Sequence, residues 1–319
     1  MKKIYGLFIL IMMSFLLVGC KTSSLTTISP STTTSINQNT KTTSINIDWS
    51  SITYYSSLVE SDDIITDMAL LLRDTITYVS YGDARYNYAI DSKTGFQYIL
   101  YDTSGINVPL TFGDGGAIDT DGDKKADYFV DREHIWACND MRIMPVNKDR
   151  TLDDYVGFII NDGSFEYRPD NNSRGHFSDL FNLWNAVRSV NQSLHSDHFY
   201  GETGKTGNPN RLGDIFYPGD EYRGDIARSL FYMTLMYPYL TLVDEDSDNA
   251  NEGTIYYGFL NILLKWNAED PVSEEEIERN ETIYETQGNR NPFIDFYNED
   301  IISLIFSSGD PNILDSSSS

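Results

Sequence analysis

The chain has 319 residues, and its 23 Lys and Arg against 48 Asp and Glu give a formal net charge of −25. Such acidity argues against a general nucleic-acid-binding surface, because phosphate backbones are normally met by basic surfaces. Basic residues nevertheless flank the window 134–198, which contains all four histidines. They form either a local basic groove or ordinary surface charges. These residues are Arg168, Arg174, Arg188, Lys205, Arg211, Arg223 and Arg228.

Residues 1–20 have the pattern of an export signal. Lys2 and Lys3 precede an apolar run over residues 4–18, and the segment ends at Cys20. The pattern resembles a bacterial lipoprotein signal, in which Cys20 becomes the lipidated first residue of the mature protein. The run is short for a spanning helix, which needs roughly 20 apolar residues. An uncleaved N-terminal anchor is the alternative, and both place the domain on the extracellular side of a cell membrane.

Composition divides the rest of the chain into three parts. Residues 21–47 are rich in Ser and Thr and contain no aromatic residue, so they cannot offset the entropy of ordering and are predicted to be a tether. Residues 48–306 are long and apolar enough for one large domain, and residues 307–319 form a polar tail. Cys138 is then the only thiol in the domain, which excludes an internal disulfide. It is either a small buried side chain or a metal ligand.

Two patterns predict elements in the first third of the domain. Residues 59–76 carry apolar side chains at helical spacing, which predicts a helix. Phe96, Tyr98 and Leu100 recur at every second position, which predicts a strand.

The aspartate-rich segment that follows has the oxygen-rich, alternating pattern that calcium prefers. Gly122 permits a tight turn there, but Val130 occupies the position where an EF-hand has its twelfth-position acid. A calcium-binding turn and a plain hairpin loop both remain open. The carboxylates are Asp119, Asp121, Asp123 and Asp127.

Further along the chain, residues 128–130 are predicted to be an extended run that leads into Glu133 and His134, with residues 155–160 as a candidate partner. Residues 225–233 are predicted to be helical. Ser273 and Glu276 form a capping box that should open another helix, ending near residue 288.

Glu133, His134 and Asn191 carry side chains suited to phosphodiester hydrolysis. That reaction needs a base to deprotonate water and a positive charge on the developing and departing oxygens. Imidazole, with an unperturbed pKa near ~6.5, makes His134 the candidate base. Glu133 and Asn191 offer hard oxygen ligands to Mg²⁺, which takes few protein ligands. Because neighbouring side chains point to opposite faces of a strand, Glu133 and His134 can reach one phosphate only at a strand end.

Several segments occur in an order that resembles the bacterial endonuclease I family of secreted or periplasmic nonspecific DNases and RNases. The resemblance implies an α+β fold, with helices and short antiparallel strands around a ββα-metal (His-Me finger) nuclease core. The segments are YGDAR (81–85), DREHIW (131–136), DLFNL (179–183) with VN (190–191), RGDIAR (223–228) with FYM (231–233), LKW (264–266) with DPV (270–272), and QGNRNPFID (287–295).

The resemblance implies that His134 activates water and that Glu133 and Asn191 bind one Mg²⁺, with 5′-phosphate products. The family also holds the cleaved phosphate with an arginine. Arg174 is the first candidate for that arginine here, and Arg168 is the second.

Three departures from the family pattern affect how tightly the protein is expected to bind the phosphate. Ala137 stands where a proline often follows the tryptophan, Phe181 replaces a histidine, and residues 192–197 lack the arginine often found after the asparagine. His195 or His198 either compensates or caps a loop.

Two of the matching segments are interpreted as structural. Asp225 and Arg228, at i and i+3, are expected to form a buried pair that locks a helix to the core. Residues 287–295 are expected to form a turn scaffold in which Asn and Arg side chains satisfy backbone groups.

The sequence therefore predicts a monomeric, membrane-anchored, extracellular endonuclease that hydrolyses DNA, RNA or both with one Mg²⁺. A noncatalytic surface lipoprotein that binds calcium and a host or envelope partner is the alternative. A phosphodiesterase for small substrates would use the same residues. The sequence does not decide between DNA and RNA or fix a base preference.

Overall fold

The structure is a computed structural model whose described residues all lie in a compact unit, Ser44–Ser319. The predicted lipidation site Cys20, the predicted calcium loop 119–127 and Arg168 lie outside the described residues. No helix within the described part of the chain has the length and apolar character needed to cross a membrane. The described residues are 47–84, 90–91, 96–105, 108–109, 117–118, 128–138, 141, 143–144, 158–161, 164–167, 171–172, 174–237, 240–243, 256–299, 301–306 and 313–314.

The helices lie mainly in the second half of the described chain. Short 3₁₀ turns occur at Thr53–Leu58, His176–Ser178 and Tyr297–Glu299. One short helix, α2, continues directly into a π-helical turn, Asn191–His195. The helices are α1 (Ile64–Thr75), α2 (Arg188–Val190), α3 (Arg223–Met236), α4 (Leu260–Glu269), α5 (Glu274–Gln287), α6 (Pro292–Asp295) and α7 (Ile301–Phe306).

The described strands are short and form small three-stranded sheets, so the mixed α+β class predicted from the sequence is confirmed. The strands are β1 (Ile90–Asp91), β2 (Phe96–Gln97), β3 (Val108–Pro109), β4 (Ala117–Ile118), β5 (Tyr128–His134), β6 (Ile143–Met144), β7 (Phe158–Asn161), β8 (Ser164–Tyr167), β9 (Leu183–Val187), β10 (Phe199–Tyr200), β11 (Asn210–Leu212), β12 (Ile215–Tyr217), β13 (Thr241–Val243), β14 (Tyr256–Tyr257) and β15 (Ile313–Leu314). The sheet orders are β1-β2-β3, β4-β5-β9, β6-β8-β7, β10-β12-β11 and β14-β13-β15.

The predicted helices are present, and α5 begins and ends at the expected signals. α1 lies within the predicted range 59–76, and the carboxylate of Asp63 accepts a hydrogen bond from the backbone N–H of Thr66 at its start. α5 opens with the predicted capping box of Ser273 and Glu276 and ends at Gly288, which has a left-handed φ of 89°.

One strand prediction needs correction, and the C-terminal segment contains a strand that was not predicted. The alternating segment 96–100 contains only the short strand β2, and Leu100 forms an isolated bridge to Ala186. Within the predicted polar tail, the apolar pair Ile313 and Leu314 forms β15, which pairs with β13.

The predicted pairing of β5 with residues 155–160 was wrong. In the structure β7 pairs with β8, while β5 pairs antiparallel with β9 over five positions, from Val130 opposite Val187 to His134 opposite Leu183. The side chains of β9 are all buried, so this strand shows no polar alternation that would reveal it in the sequence. β9 leads directly into α2, and the order β5, β9, α2 gives the ββα arrangement that the family resemblance implied.

The buried helix α3 joins the ββα unit to the C-terminal helices. Arg228 lies fully buried on α3 and donates from Nε and Nη2 to the two carboxylate oxygens of Glu276 on α5, at 2.7 and 2.5 Å. Its Nη2 also lies 3.3 Å from Asp225, which confirms the predicted i, i+3 pair. Burial, with the nearby Glu276 carboxylate, raises the pKa of Asp225 well above its ordinary value. The guanidinium therefore holds two buried carboxylates together.

The DLFNL and QGNRN segments meet at the buried carboxylate of Asp179. Its Oδ2 accepts the hydroxyls of Tyr232 and Tyr237 at 2.8 and 2.7 Å. Its Oδ1 accepts the backbone N–H of Phe181 and the side-chain amide of Gln287, each at 3.0 Å. The 287–295 segment thus has the scaffold role predicted for it, and it sets the position of the chain that enters β9.

Replacing Arg228 with Met should lower the free energy of unfolding by about 3–5 kcal/mol, because two buried carboxylates would lose their cation. Urea denaturation measures the change. Arg223→Met is the matched control on the same helix, since Arg223 pairs with Glu269 at 2.9 Å in a partly exposed position. That control should cost less than about 1 kcal/mol, and equal losses in the two variants would contradict the assigned role of Arg228.

Candidate active site

A cavity of 130 Å³ lies at the C-terminal end of β5. It brings together Glu133, His134 and Asn191, the predicted metal ligands and base, and it has room for several water molecules. β5 ends at His134, the strand end that consecutive glutamate and histidine side chains require in order to serve one site. The lining residues are Arg132, Glu133, His134, Cys138, Asn191 and Ser196.

Asn182, in the turn before β9, holds the chain where it leaves β5. Its backbone carbonyl accepts the N–H of Ile135 at 2.9 Å, and its Oδ1 accepts the N–H of Trp136 at 2.6 Å. Its Nδ2 donates back to the carbonyl of Trp136 at 3.3 Å. These bonds satisfy the backbone groups freed at the end of the strand and so fix the departure from the extended conformation.

The His134 ring is held in one orientation by the main chain and by an aromatic neighbour. Its Nε2 lies 2.8 Å from the carbonyl oxygen of Phe177. A carbonyl only accepts, so Nε2 carries the proton and Nδ1 is the basic nitrogen of the neutral ring. The Tyr81 ring stacks on the imidazole, with centroids 5.5 Å apart and planes 21° apart. His134 is 8% exposed, which suits a base that meets a water in a cavity.

Glu133 is 2% exposed and is held by residues other than those that hold His134. Its Oε1 accepts the hydroxyl of Tyr101 at 3.0 Å and also contacts Nδ1 of His195. His198 instead bridges the loop that follows, because its Nδ1 donates to the carbonyl of His195 and its Nε2 accepts from Arg211. Of the two alternatives left open for these histidines, His198 has the loop role and His195 reaches the site.

Asn191 begins the π-helical turn and is oriented by the strand beside it. Its Nδ2 donates to the carbonyl oxygen of Arg132 at 3.0 Å, which leaves Oδ1 as the acceptor end of the amide. With the Glu133 carboxylate, the cavity therefore presents two hard oxygen donors, the kind that Mg²⁺ prefers. Cys138, which is not in a disulfide, also lines the cavity and is half-buried, whereas one interpretation of the sequence made it a small buried side chain.

Among the described residues, no group of three or more His, Cys, Asp or Glu side chains is placed to hold an ion. A cation held by Glu133 and Asn191 would have two protein oxygens and would complete its shell with water and substrate. This donor set fits Mg²⁺, which dehydrates reluctantly and usually keeps several waters.

A positively charged side chain, that of Arg132, also lines the cavity. Arg132 was not among the candidates from the sequence. Its guanidinium lies 3.8 Å from the centroid of the Tyr81 ring, and its Nη1 donates to the carbonyl oxygen of Tyr81. Arg174 is exposed, donates to the carbonyl of Asn172 at 3.3 Å and does not line the cavity. Arg132 and His134 share one face of β5 because they are two residues apart, a spacing that would have paired them from the sequence.

The predicted basic groove loses three of its members in the structure. Arg228 is buried, Arg188 pairs with Asp131 at 2.9 Å, and Arg223 pairs with Glu269. Arg174, Lys205 and Arg211 are the exposed members among the described residues. Among the described residues, the positive charge that can attract a polyanion near the cavity is therefore confined to a few side chains and does not form a continuous groove.

The helical spacing of Asn191 and His195 was a second signal that went unused. Side chains four residues apart lie on the same face of a helix. Asn191 contacts Arg132 and His195 contacts Glu133, so both side chains face β5. The π-helical turn that carries them ends at Ser196, which lines the cavity with a positive φ of 53°; such turns and such backbone conformations are frequent at functional sites.

Comparison with known proteins now places the chain. The family described as Endonuclease I matches residues 116–297, more than half of the 319 residues. The chain belongs to the endonuclease I family. The matched region contains Glu133, His134, Asn191 and His195, whereas Tyr81 and Tyr101 precede it.

Two relatives of this endonuclease I family member are extracellular ribonucleases of Bacillus. The protein from Bacillus amyloliquefaciens is 50% identical over 90 residues, which are 26% of this chain and 30% of that protein. The protein from Bacillus subtilis (strain 168) is 39% identical over 133 residues, which are 39% of this chain and 45% of that protein. The matches thus cover less than half of either relative.

The turn that orients His134 should make folding of this endonuclease I family member sensitive to acid. His176 begins that turn, and burial lowers its pKa to about 3 from an ordinary value of 6.5. Below about pH 6.5 the unfolded chain therefore binds a proton at His176 that the folded chain does not bind. The contribution of His176 to the free energy of unfolding is complete above that pH and falls as the pH drops towards 3. The loss from this group should be roughly 2 kcal/mol between pH 7 and pH 5.

Urea denaturation of the wild type and of His176→Phe at pH 7 and pH 5 tests this. Phe keeps an aromatic ring beside Phe177 and Tyr237, the ring neighbours of His176, and cannot be protonated. Its decline in stability should be smaller than that of the wild type by roughly 2 kcal/mol. Equal declines in the two proteins would show that His176 does not carry the effect.

Proposed function

We propose that the protein is an extracellular, membrane-anchored, nonspecific endonuclease that hydrolyses phosphodiester bonds of DNA, RNA or both and leaves 5′-phosphate ends. The observation that carries the proposal is one cavity, at the end of β5 in a ββα unit, that contains His134 with Glu133 and Asn191. The names of the two extracellular ribonucleases support both a nucleic-acid substrate and an extracellular location. The lipid anchor at Cys20 and the monomeric state rest on the sequence alone.

His134 acts as the general base. Nδ1 takes a proton from the water whose oxygen attacks phosphorus, a role that typically accelerates such reactions about 10²–10⁴-fold. The carbonyl of Phe177 keeps the proton on Nε2, and it continues to accept that hydrogen bond when the ring becomes an imidazolium. The Tyr81 stack limits rotation of the ring, so the basic nitrogen stays directed without reorganisation during the reaction.

Glu133 and Asn191 hold one divalent cation, for which Mg²⁺ is the best fit to two hard oxygens and an aqueous remainder. When bound, the cation supplies positive charge to the phosphate and to the departing 3′ oxygen. Glu133 would hold it from β5, and Asn191 would hold it from the π-helical turn. A Ca²⁺ ion at Asp119–Asp127 is a separate part of the proposal that rests on the sequence pattern.

Arg132 is the residue proposed to hold the phosphate. It lines the cavity beside Glu133 and His134, and a planar guanidinium matches the geometry of phosphate oxygens. The Tyr81 ring packs against both the Arg132 guanidinium and the His134 imidazole. One aromatic side chain therefore positions the proposed phosphate-binding group and the proposed base. Arg174, the first candidate from the sequence, is the alternative. The experiment must distinguish its effect from that of Arg132.

The purified full-length chain in detergent should degrade plasmid DNA, RNA or both in Mg²⁺, and EDTA should abolish the cleavage. His134→Ala should reduce the rate by about 10²–10⁴-fold. Gel electrophoresis of timed samples measures cleavage, and added imidazole should partly restore the activity of the His134→Ala protein.

Lys265→Ala is a matched purification control, because Lys265 is exposed and pairs with Glu202 on the surface. Undiminished cleavage by His134→Ala would refute the assigned base. Intact nucleic acid under every ion tested would instead favour the noncatalytic surface lipoprotein.

Arg132→Ala should lower kcat/KM by about 10²-fold or more, the usual effect of removing a donor that stabilises transition-state charge. Arg174→Ala should change it by less than about 3-fold, as expected of an exposed side chain outside the cavity. Steady-state cleavage of a short fluorescent oligonucleotide measures both. The reverse order of effects would return the phosphate role to Arg174.

A further inference from the structure

The two oxygens of the Glu133 carboxylate have different surroundings. Oε1 accepts the hydroxyl of Tyr101 and contacts Nδ1 of His195. Oε2 accepts no hydrogen bond from any residue in the described part of the chain. Because Glu133 is 2% exposed and lines the cavity, the asymmetry is a property of the site and not of a surface side chain.

His195 is built to hold one orientation. It is completely buried, at the end of the π-helical turn, and its ring packs against Tyr200 and Phe216 with centroids 4.5 and 5.2 Å away. An ionised carboxylate only accepts, so Nδ1 carries the proton in this contact. The ring cannot swing away from Glu133 without disturbing two aromatic neighbours.

Tyr101 approaches the same oxygen from a different element. Its hydroxyl lies 3.0 Å from Oε1 of Glu133 and 2.9 Å from the hydroxyl of Tyr200, and its ring packs edge-on against Phe216. Tyr200 and Phe216 therefore touch both donors. The four residues form one buried cluster behind the carboxylate.

We propose that His195 is a positioning residue that, with Tyr101, occupies Oε1 of Glu133 and presents Oε2 alone to the divalent cation. The inference rests on the proposed function, since it assumes that Glu133 is a metal ligand. It predicts that Glu133 binds through one oxygen and that the affinity depends on a histidine that never touches the cation. Hydrogen bonds to the non-coordinating side of a ligand typically contribute about 10–100-fold to metal affinity.

A simple packing role for His195 makes a different prediction. His195→Phe keeps an aromatic ring between Tyr200 and Phe216 but removes the N–H donor. His195→Asn loses the ring but places an amide N–H near the position of Nδ1. If only packing matters, Phe should be the better substitute, whereas if the hydrogen bond matters, Asn should be.

Mn²⁺ binding to the full chain in detergent, measured by isothermal titration calorimetry without nucleic acid, separates these cases. Glu133→Gln identifies the binding event that belongs to this site, and thermal unfolding checks that each variant is folded. His195→Phe should raise the Kd for Mn²⁺ by about 10–100-fold, and His195→Asn should recover most of that loss. Tyr101→Phe should raise the Kd by a smaller factor.

The outcomes distinguish this inference from the function on which it rests. A wild type that binds no Mn²⁺, or a Glu133→Gln variant that binds like the wild type, would overturn the metal site itself. Wild-type affinity in a folded His195→Phe protein, with binding lost in Glu133→Gln, would overturn the positioning role alone. If His195→Phe does not fold, an unchanged Kd in a folded Tyr101→Phe protein would overturn the proposal.

Discussion

The arrangement of the site depends on the hydrogen bonds that the carboxylate of Asp179 accepts. The carboxylate is buried, and it accepts hydrogen bonds from two tyrosine hydroxyls in the region of α3, the side-chain amide of Gln287 at the end of α5 and a backbone N–H of its own turn. Burial raises the pKa of this carboxyl, while the hydrogen bonds oppose that rise. A buried carboxylate tolerates few arrangements of its donors. These bonds therefore fix the position of the turn that follows Asp179. Asn182 lies in that turn and ends β5 at the cavity.

The end of β5 resolves a geometric conflict in the sequence. Consecutive strand residues point to opposite faces, yet Glu133 and His134 line the same cavity. Each side chain is held by its own set of residues: His134 by Phe177 and Tyr81, and Glu133 by Tyr101 and His195. The cavity lies where the two faces meet beyond the last strand residue. A base and a ligand can thus act on one phosphate without competing for the same supports.

Local signals made α1, α3 and α5 predictable, whereas the pairing of β5 depended on tertiary structure. The capping box at Ser273 and the left-handed glycine at position 288 act within one turn of chain, so the sequence contains the information needed. The choice of β9 as the partner of β5 depends on burial of both faces of residues 183–187, which erases polar alternation. The same limit applies to the site. Residue chemistry identified Glu133, His134 and Asn191 as candidates, but Arg132 and His195 gained their positions from contacts with Tyr81 and Glu133 that span 51 and 62 residues.

The acidity of the chain constrains how such a site meets a polyanion. With a net charge of −25, the protein as a whole repels nucleic acid, and Arg188, Arg223 and Arg228 are committed to carboxylates in the structure. Among the described residues, Arg132 lines the cavity, and the cation that Glu133 and Asn191 are proposed to hold would add positive charge beside it. Charge confined to the cavity would act on the phosphate backbone, which carries no direct sequence information, whereas sequence is read at the base edges in the grooves. The position of Arg132 therefore supports the proposed cleavage without sequence preference.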